Sequence, residues 1–296
     1  MAMISRRHAL AGGLATLPIL AAIPAEAQTT PTGAAEARLQ DIEQRNPGRI
    51  CVAILDVASG KRIEHRADEP ILLCSTFKVL AAAKILQRVD AGLEKLDRRV
   101  IFAKSDVVDY SPITGERAGD PGMTVSEICE AALVHSDNTA GNLMLASFGG
   151  PGAITAFCRD MGDKFTRIDR AETEMNYPDG PNDRRDTTTA AAMAENLRKL
   201  FFTDVLSNRS RAKLAAWMIT CTTGDARLRA GLPKYWLTAG KTGTNNDKFG
   251  NANDVAVVCP TDRPPLIISA YCEIPGIRAE QRNAIVAEIG RVAATL

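Results

Sequence analysis

The chain is 296 residues long, 45% hydrophobic, 24% charged and 5% aromatic, which is ordinary for a soluble globular protein and excludes a disordered or fibrous one. Its 36 Lys+Arg against 35 Asp+Glu leave a formal charge of +1, without the basic excess that a nucleic-acid or anionic-membrane partner favours. One large domain or two coupled subdomains fit this length, and the chemistry to look for is that of a small molecule.

Residues 1–27 read as an export leader. Met1 to His8 carries Arg6 and Arg7 and no acid, residues 9–23 are apolar but broken by Gly12, Gly13 and Pro18, and Ala25-Glu26-Ala27 is a small-x-small cleavage pattern. Ser5-Arg6-Arg7-His8-Ala9-Leu10 resembles the twin-arginine export signal, with Ala9 where that pattern prefers Phe. The apolar run is shorter than the roughly 20 residues a span requires. The expected product is a periplasmic or secreted chain cut near Ala27 and free of the membrane. The leader holds two Arg and one Glu, so the mature chain is formally neutral.

Residues 34–46 then predict a helix that stops before Pro47-Gly48, 50–57 a strand, Ser59-Gly60 a turn and 62–66 a returning strand. From Ile71 to about Thr223 the apolar spacing becomes helical, over 77–91, 125–133, 140–147, 151–161, 189–202 and 211–218. Within it, 167–186 is polar and Pro/Gly-rich with neither period, a length at which a loop in a compact domain is usually functional or disordered. Strand signals return over 235–239, 254–258 and 266–272, followed by a helix over 278–294. The expected fold is α/β of the α+β kind: a five-stranded antiparallel sheet flanked by terminal helices, built from 28–66 and 224–296. An all-α subdomain, 67–223, is inserted between its second and third strands.

Seven cysteines, at 51, 74, 129, 158, 221, 259 and 272, lie in the mature part; an odd number leaves at least one thiol free, and their scatter through apolar runs reads as buried small hydrophobes. No C-x-x-C, H-x-H or H-E-x-x-H occurs, and only His65 and His135 follow the leader, so no metal and no cofactor is expected.

Ser75-Thr76-Phe77-Lys78 places a serine where a helix begins, with a lysine one turn further on the same face. A helix N-terminus favours a developing oxyanion, and a neighbouring amine can take a hydroxyl proton if burial lowers its pKa. The plain alternative is a capping serine beside a solvated lysine; Ser210-Arg211-Ala212-Lys213 matches the same pattern. Ser136-Asp137-Asn138 lies between two helices and is either a helix cap or a second hydroxyl with an amide. Gly240-Lys241-Thr242-Gly243 follows a strand; Tyr235 stands where a phosphate loop needs glycine, which leaves a cation, a hydroxyl and a glycine that lets another backbone approach.

With S-x-x-K, S-D-N and K-T-G in that order, and an acid-bearing loop between the last two, the mature chain closely resembles the class A serine β-lactamases. Arg170-Ala171-Glu172-Thr173-Glu174-Met175-Asn176 is similar to the family's R-x-E-x-x-L-N with Met175 for Leu, Arg185-Asp186-Thr187-Thr188-Thr189 to the end of its Ω-loop, and Asn253-Asp254-Val255-Ala256-Val257 to its fourth strand. Val108-Asp109-Tyr110-Ser111-Pro112 resembles the segment that supplies a tyrosine wall.

The resemblance implies hydrolysis of penicillins or cephalosporins, and so resistance to them, by a monomer. Ser75 would attack the lactam carbonyl, with its own N–H and that of Thr244 as oxyanion hole, and Lys78 or a Glu172-bound water would take its proton. Ser136 would protonate the departing nitrogen. Lys241, Thr242 and Thr244, next to Gly243, would hold the substrate carboxylate, and Asn138 its side-chain amide. Glu172 with Asn176 would position the deacylating water, Arg170 and Asp186 would close the loop, and Arg227 would be the pocket arginine of a subgroup, or simply solvated.

Departures are a loop one residue longer than usual between Asn176 and Asp186, a long turn over 245–253, and Asn245 where serine carbapenemases carry the cysteine that pairs with the counterpart of Cys74. Cys129 similarly faces Ala82 instead of a cysteine. The rivals are a penicillin-binding D-alanyl-D-alanine peptidase, which lacks a Glu172 equivalent, and a β-lactam sensor that stays acylated.

Overall fold

The computed structural model describes residues 31–296, so the expected leader and its cleavage point lie outside the described residues. The chain runs α1 (Pro31–Gln44), β1 (Arg49–Asp56), β2 (Arg62–His65), β3 (Ile71–Leu72), α2 (Phe77–Asp90), β4 (Arg99–Val100), β5 (Met123–Thr124), α3 (Val125–Val134), α4 (Asn138–Ala146) and α5 (Gly152–Asp160). It continues through β6 (Thr187–Thr188), α6 (Ala190–Phe202), α7 (Asn208–Ile219), α8 (Leu228–Gly231), β7 (Leu237–Thr244), β8 (Ala252–Cys259), β9 (Leu266–Glu273) and α9 (Ala279–Ala293).

Five strands form one antiparallel sheet in the order β2-β1-β9-β8-β7. Side chains alternate across a strand. On β1, Ile50, Val52 and Ile54 join one apolar layer with Leu39 of α1 and Ile285, Ile289 and Val292 of α9. Cys51, Ala53 and Leu55 join the other, with Phe77 and Leu80 of α2 and the helices that follow it. Both faces being covered, β1, β8 and β9 read as near-continuous apolar runs.

Two corrections concern the long helical region and the third sheet strand. The span expected to be helical from Ile71 holds two short antiparallel pairs, β3 with β6 and β4 with β5, each too brief to leave a period in the sequence. The strand expected over 235–239 is instead β7, so Gly240-Lys241-Thr242-Gly243 lies inside a strand and does not follow one. Its glycines and lysine argue against a strand locally, but full pairing with β8 overrides that preference. Gly243 is there because the sheet edge meets the Ser75 turn: a Cβ on it would fall 2.8 Å from the Leu73 carbonyl oxygen and 3.1 Å from Cys74 Cβ.

Candidate active site

Ser75 sits in the 3₁₀ turn Cys74–Thr76 that leads directly into α2. Cys74 holds φ at 45°, and Tyr110, Ser136 and Asp186 are likewise in the left-handed region at 58°, 60° and 58°. Non-glycine residues pay about 1–3 kcal/mol for such conformations, which persist where the surroundings over-determine them. Tyr110 and Ser136 line the same cleft, Cys74 directly precedes Ser75, and the Asp186 carbonyl accepts from Leu73 N–H just before it.

Lys78, fully buried one turn into α2, donates from Nζ to Ser75 Oγ at 2.9 Å, to the Ser136 carbonyl at 2.8 Å and to Asn138 Oδ1 at 2.7 Å. The last two atoms can only accept, because Asn138 Nδ2 already donates to the Asp109 carbonyl. An ammonium fills all three positions; a neutral amine spends its two hydrogens on Ser136 and Asn138 and turns its lone pair to Ser75. Burial pushes the Lys78 pKa down, opposed by the neighbouring Glu172 carboxylate.

Glu172 arrives from the loop. Ser75 Oγ donates to its Oε1 at 2.9 Å, Lys78 Nζ lies 3.1 Å from that same oxygen, and Asn176 Nδ2 donates to Oε2 at 2.6 Å. The serine hydroxyl thus touches two groups able to accept its proton. The Glu172 main chain is gripped twice by Asn142 of α4, which donates to its carbonyl and accepts from its N–H, both at 2.8 Å. Asn142 was missed in the sequence; its signal was a position four residues beyond Asn138 on the same helix face.

Arg170 Nε donates to Asp186 Oδ2 at 2.6 Å, while Asp186 Oδ1 accepts from the N–H groups of Asp169 and Arg170. The Asp186 carbonyl in turn accepts from Leu73 N–H, two residues before the nucleophile. Of the tripeptide Ser136-Asp137-Asn138, the middle residue is the cap: Asp137 accepts from Ala140 N–H and from Ile113, Thr114 and the Thr114 hydroxyl. Its neighbours face the cleft.

Lys241 and Arg227 bring two cations from the sheet side. Lys241 is fully buried and reaches the cleft through others, donating to Ser136 Oγ at 2.9 Å and to the Thr242 carbonyl. Burial lowers its pKa to about 7. Arg227 is not solvated: it is buried, donates to the carbonyls of Gly243 and Asn253 and to Asn283 Oδ1, and from Nη2 to Thr244 Oγ1 at 2.6 Å. Burial also lowers its pKa.

A cavity of about 670 Å³ opens above Ser75, and Tyr110, Ser136, Asn138, Asn176, Arg227, Thr242 and Thr244 line it as well. Lys78, Glu172, Lys241 and Gly243 sit behind that wall. Thr223, Tyr177, Asn245 and Asn246 also line it without having been assigned a role from the sequence. The Thr223 and Thr242 hydroxyls are 2.5 Å apart. All seven cysteines are free, Cys74 among them, and burial pushes its thiol up. Among the described residues no group of His, Cys, Asp or Glu is arranged to hold a metal, and no helix is long and apolar enough to cross a membrane.

The model of the β-lactamase enzyme family matches residues 34–295. The chain is 43% identical to β-lactamase L2 of Stenotrophomonas maltophilia, over 98% of each chain, and 40% identical to β-lactamase Toho-1 of Escherichia coli, over 97% of each. Among solved structures it resembles the putative class A β-lactamase PenP of Rhodopseudomonas palustris, with a TM-score of 0.85 and 49% identity over 88% of this chain and 98% of that one. Likeness of that extent, together with a serine held between a buried lysine and a buried glutamate, places the chain in the β-lactamase family as a class A serine enzyme that hydrolyses β-lactams and confers resistance to them.

Proposed function

We propose that this hydrolysis of penicillins and cephalosporins proceeds through an ester on Ser75, formed in one step and broken by water in a second. Ser75 Oγ attacks the lactam carbonyl as its proton passes to Lys78 or Glu172, both within hydrogen-bond distance. The N–H groups of Ser75 and Thr244 receive the oxyanion. Ser136, bonded to Lys241, delivers a proton to the departing nitrogen. The substrate carboxylate rests on the hydroxyls of Ser136, Thr242 and Thr244, with the charges of Lys241 and Arg227 directly behind them. Asn138 keeps one Nδ2 hydrogen for the substrate amide, and Tyr110, 61% exposed, walls the opening.

Glu172 is the base of the second step. Asn176 fixes its far oxygen, and Asn176 Oδ1, buried without a protein partner among the described residues, is available to a water brought between them. Arg170 and Asp186 hold the loop that carries both. The same proposal takes 28–66 with 224–296 and 67–223 as the two subdomains flanking the cleft. It has one chain acting alone and export behind a leader cut near Ala27.

The observation that carries this reading is the position of Ser75 Oγ, 2.9 Å from Lys78 Nζ and 2.9 Å from Glu172 Oε1. Mass spectrometry of the mature chain mixed with a penicillin should show an adduct on Ser75 that vanishes within minutes as hydrolysed product accumulates, with EDTA present or absent. A lasting adduct would mark a receptor or peptidase, and activity lost in EDTA and restored by zinc would remove the serine mechanism.

A further inference from the structure

We infer that Asn245 is a positioning residue for deacylation: its carboxamide clamps the main chain of Asn176 to the end of β7 and so keeps Asn176 on Glu172. The inference rests on the deacylating roles proposed above for those two residues. Asn245 follows the last residue of β7 and is buried. Its Nδ2 donates to the Asn176 carbonyl at 3.2 Å and to Asn251 Oδ1 at 2.7 Å, while its Oδ1 accepts from Asn251 N–H at 2.7 Å. A main-chain N–H only donates and a carbonyl only accepts, so one orientation of the amide satisfies both neighbours.

The clamp is rooted in the sheet. Asn251, 1% exposed, bridges to Glu273 at the end of β9 and donates from Nδ2 to the Cys272 carbonyl. Beside it Gly250 has φ at 71°, and a Cβ there would fall 2.3 Å from the Ile274 main chain. Glycine is what lets the 245–251 turn press this closely on β9. Asn176, by contrast, has only the short 3₁₀ turn Glu174–Asn176 beneath it. The ring of its neighbour Tyr177 meets that of Phe249 at 6.0 Å between centroids, a second contact between the same two segments.

Asn245→Asp tests this, because it preserves shape and the acceptor for Asn251 N–H but cannot donate to Asn176; Asn245→Ala is its companion and Glu172→Gln the reference. Single-turnover kinetics with a penicillin should show acylation of both Asn245 variants within about threefold of wild type and deacylation slowed roughly 10–100-fold, the scale of misplacing a catalytic group by about an ångström. Wild-type deacylation in both, or acylation and deacylation falling in equal proportion, would overturn the inference. Misfolding of both would make Asn245 a determinant of the fold and overturn it likewise. Normal deacylation in Glu172→Gln would overturn the proposed second step, and the clamp with it. Slow deacylation in Glu172→Gln beside normal deacylation in the Asn245 variants would overturn the clamp alone.

Discussion

Helix α2 and the 167–186 loop each deliver a charged group to Ser75 Oγ, Lys78 from one and Glu172 from the other, but they are held in place by different forces. Around Lys78, Phe77, Val79, Leu80, Ala81, Ala82 and Ala83 are fully buried in one apolar layer. Many small contacts add up there, and no single one decides the position. The loop buries only Ile168 and Met175 as large apolar side chains, and its catalytic stretch hangs mainly on a few polar partners: the Asp186 carboxylate, the Asn142 amide and the Asn245 amide. Each of those is singular, and removing one leaves buried donors or acceptors unsatisfied at about 1–3 kcal/mol apiece. The contrast teaches that ester formation should be robust to substitution and ester hydrolysis fragile.

Glu172→Gln gives the largest expected separation. It should still acylate on Ser75 through Lys78 while deacylation falls by roughly 10²–10⁴, the worth of a positioned general base, so that intact-mass spectra accumulate the adduct. Glu174→Gln, on an exposed carboxylate two residues away, should deacylate normally in the same experiment. If Glu172→Gln turned over like wild type, the loop would not be the deacylating half; if it failed to acylate, Glu172 would also be the obligatory first base and the two regions would not divide the reaction.

Asp186→Ala comes next, because it strips a fully buried carboxylate from two N–H groups and the Arg170 guanidinium. Denaturant unfolding should register a loss of about 3–5 kcal/mol, typical of breaking a buried pair. Single-turnover assays on the folded fraction should show deacylation falling well before acylation. Proportional loss of both steps would erase the contrast between the regions.

Arg227→Ala touches neither region directly and sharpens the comparison from the sheet side. Losing the cation behind Thr244 should lower kcat/KM by about 1–3 kcal/mol, mostly through KM. A change confined to kcat would move Arg227 from substrate binding to the chemistry.

The smallest effect is on pH. Lys241 has its pKa depressed to about 7 by burial, so its ammonium loses its proton as pH rises through that value, and with it the attraction for an anionic substrate. KM should therefore rise roughly tenfold between about pH 6 and about pH 8, while Lys241→Arg, charged throughout, should stay flat over the range. A rise that survives in Lys241→Arg would assign the titration to another group.

Much of this was legible because it is local. Continuous apolar runs at 50–57 and 266–272 and helical spacing over 77–91 and 189–202 each depend on neighbours a few residues away, and the sheet with its helical insertion follows from their order. The three short motifs and the acid of the loop were recognisable because the chemistry needs those residue types, and the structure brings Ser75, Lys78, Ser136, Glu172 and Lys241 together. Other features depend on contacts between residues well outside any local period, from 14 apart for Lys241 and Val255 to 69 apart for Asn245 and Asn176. That Lys241 lies within β7, that Arg227 is buried against two carbonyls and not solvated, that Asn142 grips Glu172 and that Asn245 grips Asn176 leave no periodic trace. By itself, then, the sequence determined the elements, their order and the residue types at the nucleophile. Which hydrogen bond each buried polar group makes was decided only when long-range packing placed donors and acceptors opposite one another, because such a group must be paired once water is excluded, and the sequence does not say by whom.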